Sequence, residues 1–374
     1  MRIMISCGEP SGDLYAEALV AALREREPSV DVFGFGGPRL AAAGVRLVGD
    51  FHGLSVTGLT EALRVLPRSY AMLRRLVAAA RETRPDVFVA VDFPDFNFQL
   101  MAALRRLGIP IVYYISPQLW AWRPRRMATM KRDVDRVLVI FPFEEALYRD
   151  EGVDVEFVGH PLIDLTAVRT PRNVLLREYG LLADAPTVAL LPGSRPNELR
   201  RIVPGMAASL PLIRTRVPGV QFLVAAAPNL PDALFRELDA PLVRDRTDEV
   251  LAASDVVVTA SGTATVQAAL HERPMVVVYR LSPLTYRLGK PLVRVNTYAM
   301  ANLVAGERIV PELIQDAFTP ARVADETVRF LTDAALHART RDALRRVRER
   351  LGQPGASGRA ASAVLDVARG HARR

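Results

Sequence analysis

Residues 87–97 read VFVAVDFPDFN, and this stretch decides the fold class. Its first five residues are all apolar rather than alternating with polar ones, which is typical of a parallel strand covered on both faces. Asp92 and Asp95 follow where such a strand would end. The stretch therefore predicts a strand inside a parallel α/β sheet, with polar groups beyond its carboxyl end.

Similar apolar runs recur along the chain and alternate with longer helical patterns, among them 60–82 and 197–213. The predicted strands lie at 2–6, 31–35, 87–91, 111–115, 136–140, 187–191, 221–225, 255–259 and 275–279. Strands alternating with helices indicate right-handed βαβ units and open, doubly wound sheets. We expect an α/β protein with two Rossmann-like doubly wound parallel-sheet domains that face each other across a cleft.

The length of 374 residues is enough for two domains, each with its own core. A polar stretch with Pro171, Arg172 and Asn173 follows Gly159-His160-Pro161, so we place the boundary near 162–184. The expected domains are 1–165 and 166–350. A final helical segment, 351–374, is expected to pack on either of them.

Composition excludes several classes of protein. The formal net charge is +8, and only Lys131 and Lys290 among the basic residues are lysines. The Arg excess fits either a codon bias or attraction to anionic partners such as nucleotide phosphates and phospholipid headgroups. Zinc-finger spacing and a basic tail are missing, so we expect no nucleic-acid partner. Cys7 is the only cysteine and excludes an internal disulfide.

The chain also carries few signals for membrane insertion or export. No apolar run reaches the ~18 residues that span a bilayer. The apolar run Met1–Ser6 is shorter than the core of a signal peptide. We therefore expect a cytoplasmic protein.

Unusual polar clusters follow five of the predicted strands. They are Gly8-Glu9-Pro10-Ser11-Gly12-Asp13, Asp92-Phe93-Pro94-Asp95-Phe96-Asn97, Ser116-Pro117-Gln118-Leu119-Trp120-Ala121-Trp122, Pro192-Gly193-Ser194-Arg195 and Ser261-Gly262-Thr263. Ligands of open α/β sheets bind beyond the carboxyl ends of the strands. Because the clusters divide between the two halves, we expect one shared crevice lined by both.

Two clusters of the second half suit a diphosphate. Ser261-Gly262-Thr263 opens a helix, where free backbone N–H groups and the helix dipole favour a phosphate, although an ordinary helix cap has the same sequence. Gly193-Ser194-Arg195 offers a flexible turn with an Arg whose fork fits phosphate, although a solvated surface turn also fits it.

Other sites are excluded by spacing. Gly34, Gly36 and Gly37 fail as a dinucleotide fingerprint because Arg39 stands where the third glycine should be. No P-loop, no nucleophile elbow of the Gly-x-Ser-x-Gly type and no metal-ligand cluster is present. We therefore expect neither a cofactor nor a metal.

Carboxylates remain as the acid–base candidates. Asp95 lies farthest past its strand and is the preferred general base. Asp13 opens a helix and Asp86 precedes a strand, so structural roles fit both. Trp120 and Trp122 share one loop with several arginines, which fits either a buried pair or a platform for a sugar or lipid.

These clusters, in this order, resemble lipid-A-disaccharide synthases, a family of glycosyltransferases with the GT-B fold, over nearly the whole chain. Further motifs support the resemblance: Gly36-Gly37-Pro38-Arg39, Pro85-Asp86-Val87, Phe157-Val158-Gly159-His160-Pro161, Glu198 after Arg195, Ala260-Ser261-Gly262-Thr263-Ala264-Thr265, Asn302-Leu303-Val304-Ala305-Gly306 and Pro311-Glu312-Leu313-Ile314-Gln315. So many ordered motifs are more specific than likeness of fold alone.

The resemblance implies an inverting transfer of 2,3-diacylglucosamine from its UDP derivative to the 6-hydroxyl of 2,3-diacylglucosamine 1-phosphate, with UDP as leaving group. It implies Asp95 as the base. On this basis residues 1–165 bind acceptor and lipid, and 166–350 bind the UDP-sugar. The expected donor residues are Gly193, Ser194, Arg195, Ser261, Gly262, Thr263, Gln267, Asn302, Glu312 and Gln315. The expected acceptor and cleft residues are Glu9, Ser11, Gly12, Asp13, Asp92, Ser116, Trp120, Trp122 and Arg126.

The sequence departs from the family pattern at three positions. Gln267 stands where many members have a Glu that bonds the ribose hydroxyls, Pro10 replaces Ala, and Ala301 replaces Pro. None of these removes a proposed catalytic group. They leave the acyl-chain preference and the acceptor open.

Both expected substrates carry acyl chains, so we expect peripheral contact with the cytoplasmic face of the inner membrane. The stretch Leu59–Ala80 mixes apolar residues with arginines and fits either an interfacial helix or a core-facing amphipathic one. Pro283–Arg294 is a second candidate. A homodimer is compatible with these expectations.

Two alternatives remain from the sequence. One is another UDP-sugar enzyme of the same fold, such as a 2-epimerase or a peptidoglycan-type transferase, which would differ in the first half. The other is a catalytically silent protein that binds a membrane surface or a UDP-sugar.

Overall fold

The computed structural model describes residues 1–52, 59–119, 126–228, 230–282, 286–287 and 297–372, without the side chains of 59–65, 371 and 372. The chain divides into two compact units. The first includes Met1–Asp164 and the carboxyl-terminal segment from Leu351, and the second comprises Leu165–Lys290 and Val295–Arg350.

The first unit is built on a seven-stranded sheet in the order β3-β2-β1-β4-β5-β6-β7, and its paired strands are parallel. The strands are β1 (Arg2–Ser6), β2 (Asp31–Gly36), β3 (Arg46–Asp50), β4 (Val87–Val91), β5 (Ile111–Tyr114), β6 (Arg136–Val139) and β7 (Val155–Phe157). The helices in the same part of the chain are α1 (Pro10–Arg26), α2 (Pro38–Ala42), α3 (Leu59–Thr83), α4 (Pro94–Arg105), α5 (Met127–Asp133), α6 (Pro142–Asp150) and α7 (Leu162–Leu165).

The second unit is built on a six-stranded parallel sheet in the order β10-β9-β8-β11-β12-β13. The strands are β8 (Thr187–Leu191), β9 (Gln221–Ala226), β10 (Leu242–Arg244), β11 (Val256–Ala260), β12 (Met275–Tyr279) and β13 (Glu312–Ile314). The helices are α8 (Arg172–Glu178), α9 (Pro196–Ala207), α10 (Leu210–Arg216), α11 (Thr247–Ala253), α12 (Thr263–Leu270), α13 (Met300–Ala305), α14 (Pro320–Thr332) and α15 (Ala334–Arg350).

Each unit has its own apolar core, which confirms the expected α/β class with two parallel sheets. All five residues of β4 are buried, as are all five of β8 and of β11. This matches the continuous apolar runs, because helices covering both faces of a parallel sheet leave no side of a central strand in water.

The structure also corrects the sequence-based elements. The edge strands β3, β7, β10 and β13 were not predicted, since strands of three to five residues with at most one fully buried side chain lack a long apolar run. The helix predicted over 197–213 is two helices, α9 and α10. Pro211 lies in the first turn of α10, where its missing N–H is harmless, whereas inside one continuous helix it would leave the Ala207 carbonyl without its hydrogen bond.

The last helix, α16 (Ala356–Ala372), packs on α1 of the first unit. Asp164 fixes its start, because the carboxylate accepts the N–H groups of Gly355 at 2.7 Å and Ala356 at 2.9 Å. Arg359 on the helix donates to the carbonyl of Val158 at 2.8 Å. Across the described ranges, no helix has the length and apolarity needed to cross a membrane.

Candidate active site

Backbone strain concentrates at the carboxyl ends of the strands. Of the eight described non-glycine residues with positive φ, five directly follow a strand: Asp92 and Phe93 after β4, Ile115 after β5, Asp245 after β10 and Gln315 after β13. The other three, Arg84, Asp239 and Glu272, follow helices. Such residues each cost about 1–3 kcal/mol and persist where surrounding contacts enforce them, often at functional sites.

Several hydrogen bonds hold the turn after β4 in its strained conformation. Asp92 and Phe93 have φ of 45° and 50°. The carbonyl of Asp92 accepts the side-chain amide of Asn97 at 2.7 Å and the hydroxyl of Tyr113 at 2.9 Å. Ser6, at the end of β1, donates to the Asn97 side-chain oxygen at 2.7 Å. Three neighbouring strands therefore hold one sharp turn.

A glycine on the neighbouring loop makes room for this turn. A Cβ on Gly8 would lie 2.2 Å from the ring of Phe93. Phe93 in turn stacks against Phe96 with ring centroids 5.5 Å apart. The loop after β1 and the turn after β4 are therefore packed together and cannot be rearranged independently.

Asp95 lies in the first turn of α4 and presents its carboxylate to solvent, with 72% of its side chain exposed. Arg126 donates to it at 2.6 Å, and the same guanidinium lies 4.7 Å from the ring centroid of Phe98. The helix amino terminus and the guanidinium both stabilise the carboxylate anion. Asp95 is thus a charged, accessible group on a rigid support.

Asp13 has a different environment. It is buried, and its carboxylate accepts the backbone N–H groups of Gly37 at 2.8 Å, Arg39 at 2.9 Å and Leu40 at 3.3 Å. These groups begin α2, so Asp13 anchors the loop after β2 to α1. The arrangement is structural, and it places the loops after β1 and β2 side by side.

The remaining residues predicted for the acceptor side lie at the same edge where the structure describes them. Glu9 precedes α1, Ser11 and Gly12 lie in its first turn, and Gly12 is buried against Cys7. Ser116 follows β5; its hydroxyl bonds the Tyr148 hydroxyl and donates to the carbonyl of Pro117 at 3.1 Å. Trp120 and Trp122 lie outside the described residues. The assignment of these residues to the acceptor stays a prediction.

In the second unit, the turn after β8 closes over a buried carboxylate. Gly193 has φ of 124°, and a Cβ there would lie 2.2 Å from the Glu198 carboxylate. The N–H of Ser194 donates to Glu198 at 3.0 Å. Arg195 directly precedes α9. The turn predicted to bind phosphate is therefore held in place by Glu198, a residue of the helix that follows it.

The turn after β11 presents backbone rather than side chains. Gly262, with φ of 145°, directly precedes α12, and a Cβ on it would meet nothing within 4 Å. Ser261 donates to the carbonyl of Tyr298 at 3.1 Å, and Thr263 is exposed. Gln267, one helical turn later, is half-buried. A helix start of this kind suits an anion.

Asn302 is buried, and its amide is saturated by the protein. The side-chain oxygen accepts the N–H groups of Ile309 at 2.8 Å and Val310 at 2.9 Å. The side-chain nitrogen donates to the Val310 carbonyl at 2.9 Å and to Glu312 at 2.8 Å. Two donors and two acceptors are all that an amide offers. Asn302 therefore contributes by shaping a loop.

Glu312 continues this network. Its carboxylate also accepts the N–H groups of Tyr298 at 2.9 Å and Ala299 at 3.0 Å. Since Ser261 bonds the carbonyl of the same Tyr298, the network reaches the turn after β11. The sequence predicts Asn302, Glu312 and Ser261 in one site; in the structure Asn302 bonds Glu312 directly, and Glu312 is connected to Ser261 through the backbone of Tyr298.

Gln315, the last residue predicted for the donor side, combines strain with an unused donor. Its φ is 55°, and its side-chain nitrogen is buried with no hydrogen-bond partner among the described residues. Most buried side-chain donors in native proteins have a partner.

Tyr113 and Tyr279 were overlooked because both lie inside apolar strand runs. Burial, and then the nearby Asp92 charge, raises the pKa of Tyr113 well above its ordinary value. Burial, and then the Glu198 charge, raises the pKa of Tyr279 to about 12. Both hydroxyls remain protonated donors at neutral pH. A tyrosine at the end of an apolar strand is the signal that could have identified them.

Metal ligation finds no support in the described parts of the chain, which contain no group of three or more His, Cys, Asp and Glu able to hold an ion. The side chains brought together at the two sheet edges are carboxylates, an amide, hydroxyls and guanidinium groups. Such a set can bind phosphates and move a proton from an alcohol.

Comparison with known proteins gives one consistent family. A family model described as lipid-A-disaccharide synthetase matches residues 3–367. A lipid-A-disaccharide synthase from Myxococcus xanthus is 44% identical over 372 residues, covering 98% of this chain and 97% of that protein.

Solved structures share the fold at low identity. A UDP-GlcNAc 2-epimerase from Neisseria meningitidis bound to UDP-GlcNAc has a TM-score of 0.69 at 11% identity, covering 98% of this chain and 100% of that chain. The glycotransferase of kitacinnamycin has a TM-score of 0.65 at 20% identity, with 98% of each chain covered.

Proposed function

Because the chain belongs to the lipid-A-disaccharide synthase family, we propose that it transfers 2,3-diacylglucosamine from its UDP derivative to the 6-hydroxyl of 2,3-diacylglucosamine 1-phosphate. It is a glycosyltransferase, and the products would be a β-1,6-linked disaccharide 1-phosphate and UDP. The observation that carries the chemistry is the exposed Asp95 carboxylate on the braced turn after β4.

The acceptor step assigned to the first unit is a proton transfer. Asp95 accepts the proton of the 6-hydroxyl as that oxygen attacks the anomeric carbon of the donor. A new C–O bond forms while the bond to the UDP oxygen breaks, and UDP leaves with the electron pair. Attack from the face opposite UDP inverts the anomeric configuration. Positioned bases of this kind contribute about 10²–10⁴-fold in rate.

The donor step assigned to the second unit is charge stabilisation. Negative charge grows on the diphosphate as UDP departs. Arg195 and the backbone N–H groups at the start of α12 would receive it, since both favour anions in a fixed geometry. Asn302 and Glu312 would act by holding the segment that bonds Ser261.

A product assay tests the proposal. Purified protein is incubated with UDP-2,3-diacylglucosamine and 2,3-diacylglucosamine 1-phosphate in EDTA, and UDP and lipid products are separated by mass. The proposal requires equimolar UDP and disaccharide 1-phosphate. An epimerised UDP-sugar without disaccharide would support the 2-epimerase alternative, and no turnover with intact UDP binding would support a silent binding protein. Either result rejects the proposal.

We also propose that the protein contacts a membrane surface peripherally, through α3. Leu76 and Ala80 bury one face of this helix in the first core, as the core-facing alternative requires. Nevertheless Leu66 and Tyr70 are 55% and 60% exposed, and Arg68 lies exposed between them. Exposed apolar side chains beside arginines suit an anionic bilayer surface. The second candidate, Pro283–Arg294, lies almost wholly outside the described residues.

Vesicle co-sedimentation tests this contact. With phosphatidylglycerol-containing vesicles, the double variant Leu66→Ser/Tyr70→Ser should bind several-fold less than the natural protein. Leu182→Ser is the matched control, because Leu182 is 72% exposed in the second unit. Equal loss in both variants would mean that α3 has no special role.

A further inference from the structure

Glu198 is a buried carboxylate beneath the turn that carries Arg195. It is 8% exposed and occupies the third position of α9, with Arg195 as the residue before the helix. A Glu at this position often reaches back to the backbone at the helix start, as half of a capping box. Such caps are usually solvated, so burial is the unusual feature here.

The contacts of Glu198 define the turn. One carboxylate oxygen accepts the Ser194 N–H at 3.0 Å, and the Arg195 N–H bonds the same carboxylate. The hydroxyl of Tyr279, at the end of β12, is a third donor to it. Gly193 fits only because it lacks a Cβ. The turn after β8 is thus bound through one carboxylate to β12, which lies two strands away in the sheet.

Burial disfavours the charged form of the Glu198 carboxylate. Burial raises the pKa of Glu198, and the opposing effects of Arg195, the two N–H groups and Tyr279 do not offset it. A neutral side chain of the same shape would be easier to bury. Fold stability alone therefore does not account for a Glu at this position.

We propose that Glu198 is a positioning residue of the donor site, whose ionised carboxylate orients the Gly193–Arg195 turn toward a nucleoside diphosphate. The inference rests on the proposed function and deepens it. Protonation removes one acceptor, loosens the Ser194 and Arg195 amides, and weakens binding of the diphosphate. Donor affinity is therefore coupled to the charge of a residue that does not touch the donor.

The direction of the pH effect follows from the groups facing Glu198. These are Arg195 at the start of α9 and Tyr279 from β12, with Arg201 acting on Tyr279. Neither arginine loses its charge, and Tyr279 stays protonated, over the range in which Glu198 titrates. Because burial raises its pKa, Glu198 takes up its proton at a higher pH than an ordinary Glu, so the turn loosens as the pH falls.

The experiment is calorimetric titration of UDP at pH 8 and pH 5.5. Glu198→Gln keeps the shape but removes the charge, and it should weaken UDP binding about tenfold at pH 8, as loss of a charged hydrogen bond predicts. At pH 5.5 the two proteins should differ less. Comparing proteins at the same pH removes the titration of UDP itself. Tyr279→Phe should weaken binding in the same direction, but less.

Glu249→Gln is the matched control. Glu249 is also buried, at 7% exposure, and it occupies the same third position in α11 after another arginine, Arg246. It should bind UDP like the natural protein. The melting temperature distinguishes a positioning role of Glu198 from a purely structural one. At pH 8 a positioning Glu198 predicts weaker UDP binding in Glu198→Gln, with a melting temperature lowered no more than in Glu249→Gln.

The opposite pattern overturns the inference. A purely structural cap predicts that Glu198→Gln melts at a lower temperature and binds UDP normally at both pH values. If Glu198→Gln fails to fold, normal UDP binding by Tyr279→Phe has the same meaning. Absence of UDP binding in the natural protein and in Glu249→Gln would instead reject the proposed function.

Discussion

The two sheet edges both use buried polar side chains to fix the backbone, but they present different groups. At the edge of the first unit, Asp95 is exposed and pairs with another side chain, Arg126. At the edge of the second unit, Glu198 and Asn302 are buried and bond mainly backbone amides. Asp13 and Asn97 fix the backbone in the same way in the first unit, so what distinguishes the first edge is its exposed carboxylate.

This difference matches the chemistry of the two steps. A base must reach the substrate proton, so it has to be exposed and its support has to be rigid. A diphosphate is bound well by N–H groups and an arginine fork, which need correct orientation more than reactivity. Buried carboxylates and amides are suited to provide that orientation.

The largest effect is expected at Asp95. Asp95→Asn should lower kcat by about 10²–10⁴-fold, since the amide cannot accept the proton, while the dissociation constant of UDP changes less than about twofold. Steady-state rates and UDP titration measure the two. Asp86→Asn is the control, because Asp86 lies at the other end of β4 and bonds the Arg2 N–H at 2.7 Å. Comparable rates for the two variants would remove Asp95 as the base.

Next in size is the effect of Asn302→Ala on stability. The change leaves the Ile309 and Val310 N–H groups and Glu312 without their buried partner. We expect a loss of about 2–4 kcal/mol in the free energy of unfolding, from denaturant titration. A loss below about 0.5 kcal/mol, with UDP binding abolished, would mean that Asn302 contacts the donor directly.

A smaller effect is expected for Arg195→Lys. Lysine keeps the charge but not the planar fork, so kcat/KM for the donor should fall about 10–100-fold. Arg201→Lys is the control on the same helix, since Arg201 donates to the Asn197 carbonyl at 3.0 Å. If both variants behave alike, the fork of Arg195 has no special role and the donor edge is wrongly assigned.

The smallest effect concerns His160, in the first unit. Burial lowers its pKa to about 3, and its Nδ1 accepts the Leu162 N–H at 3.2 Å. In the unfolded chain this histidine would have its ordinary pKa near 6.5, so below that pH the unfolded state takes up a proton that the folded state does not. The folded protein is therefore most stable above pH 6.5 and loses stability as the pH falls below it. From pH 7 to 5.5 the free energy of unfolding of the natural protein should fall about 1 kcal/mol more than that of His160→Gln. Parallel curves would place the titration elsewhere.

The parallel sheets, and the polar clusters that follow their strands, were predictable from sequence. Central strands such as β4 are apolar throughout, and such a run can be recognised without knowing which residues lie near it in the fold. Asp95 could be singled out because a polar residue just past such a strand lies at the edge where ligands bind. The family motifs then specified the chemistry.

The roles of the supporting residues were not predictable. Asp13 bonds amides more than 20 residues away, at Gly37 and Arg39, and no local pattern encodes that contact. Tyr113 and Tyr279 occupy positions in apolar strand runs. The hydrogen-bond partners of their hydroxyls, Asp92 and Glu198, lie on other elements and cannot be read from the local pattern. Short edge strands were overlooked because pairing, rather than side-chain pattern, defines them.

Amide hydrogen exchange with each substrate added separately tests the division between the edges most directly. UDP alone should slow exchange in residues 193–195 and 262–265 and leave 92–97 unchanged, while 2,3-diacylglucosamine 1-phosphate should protect 92–97. Protection of 92–97 by UDP, with 193–195 exchanging as in the free protein, would contradict the account.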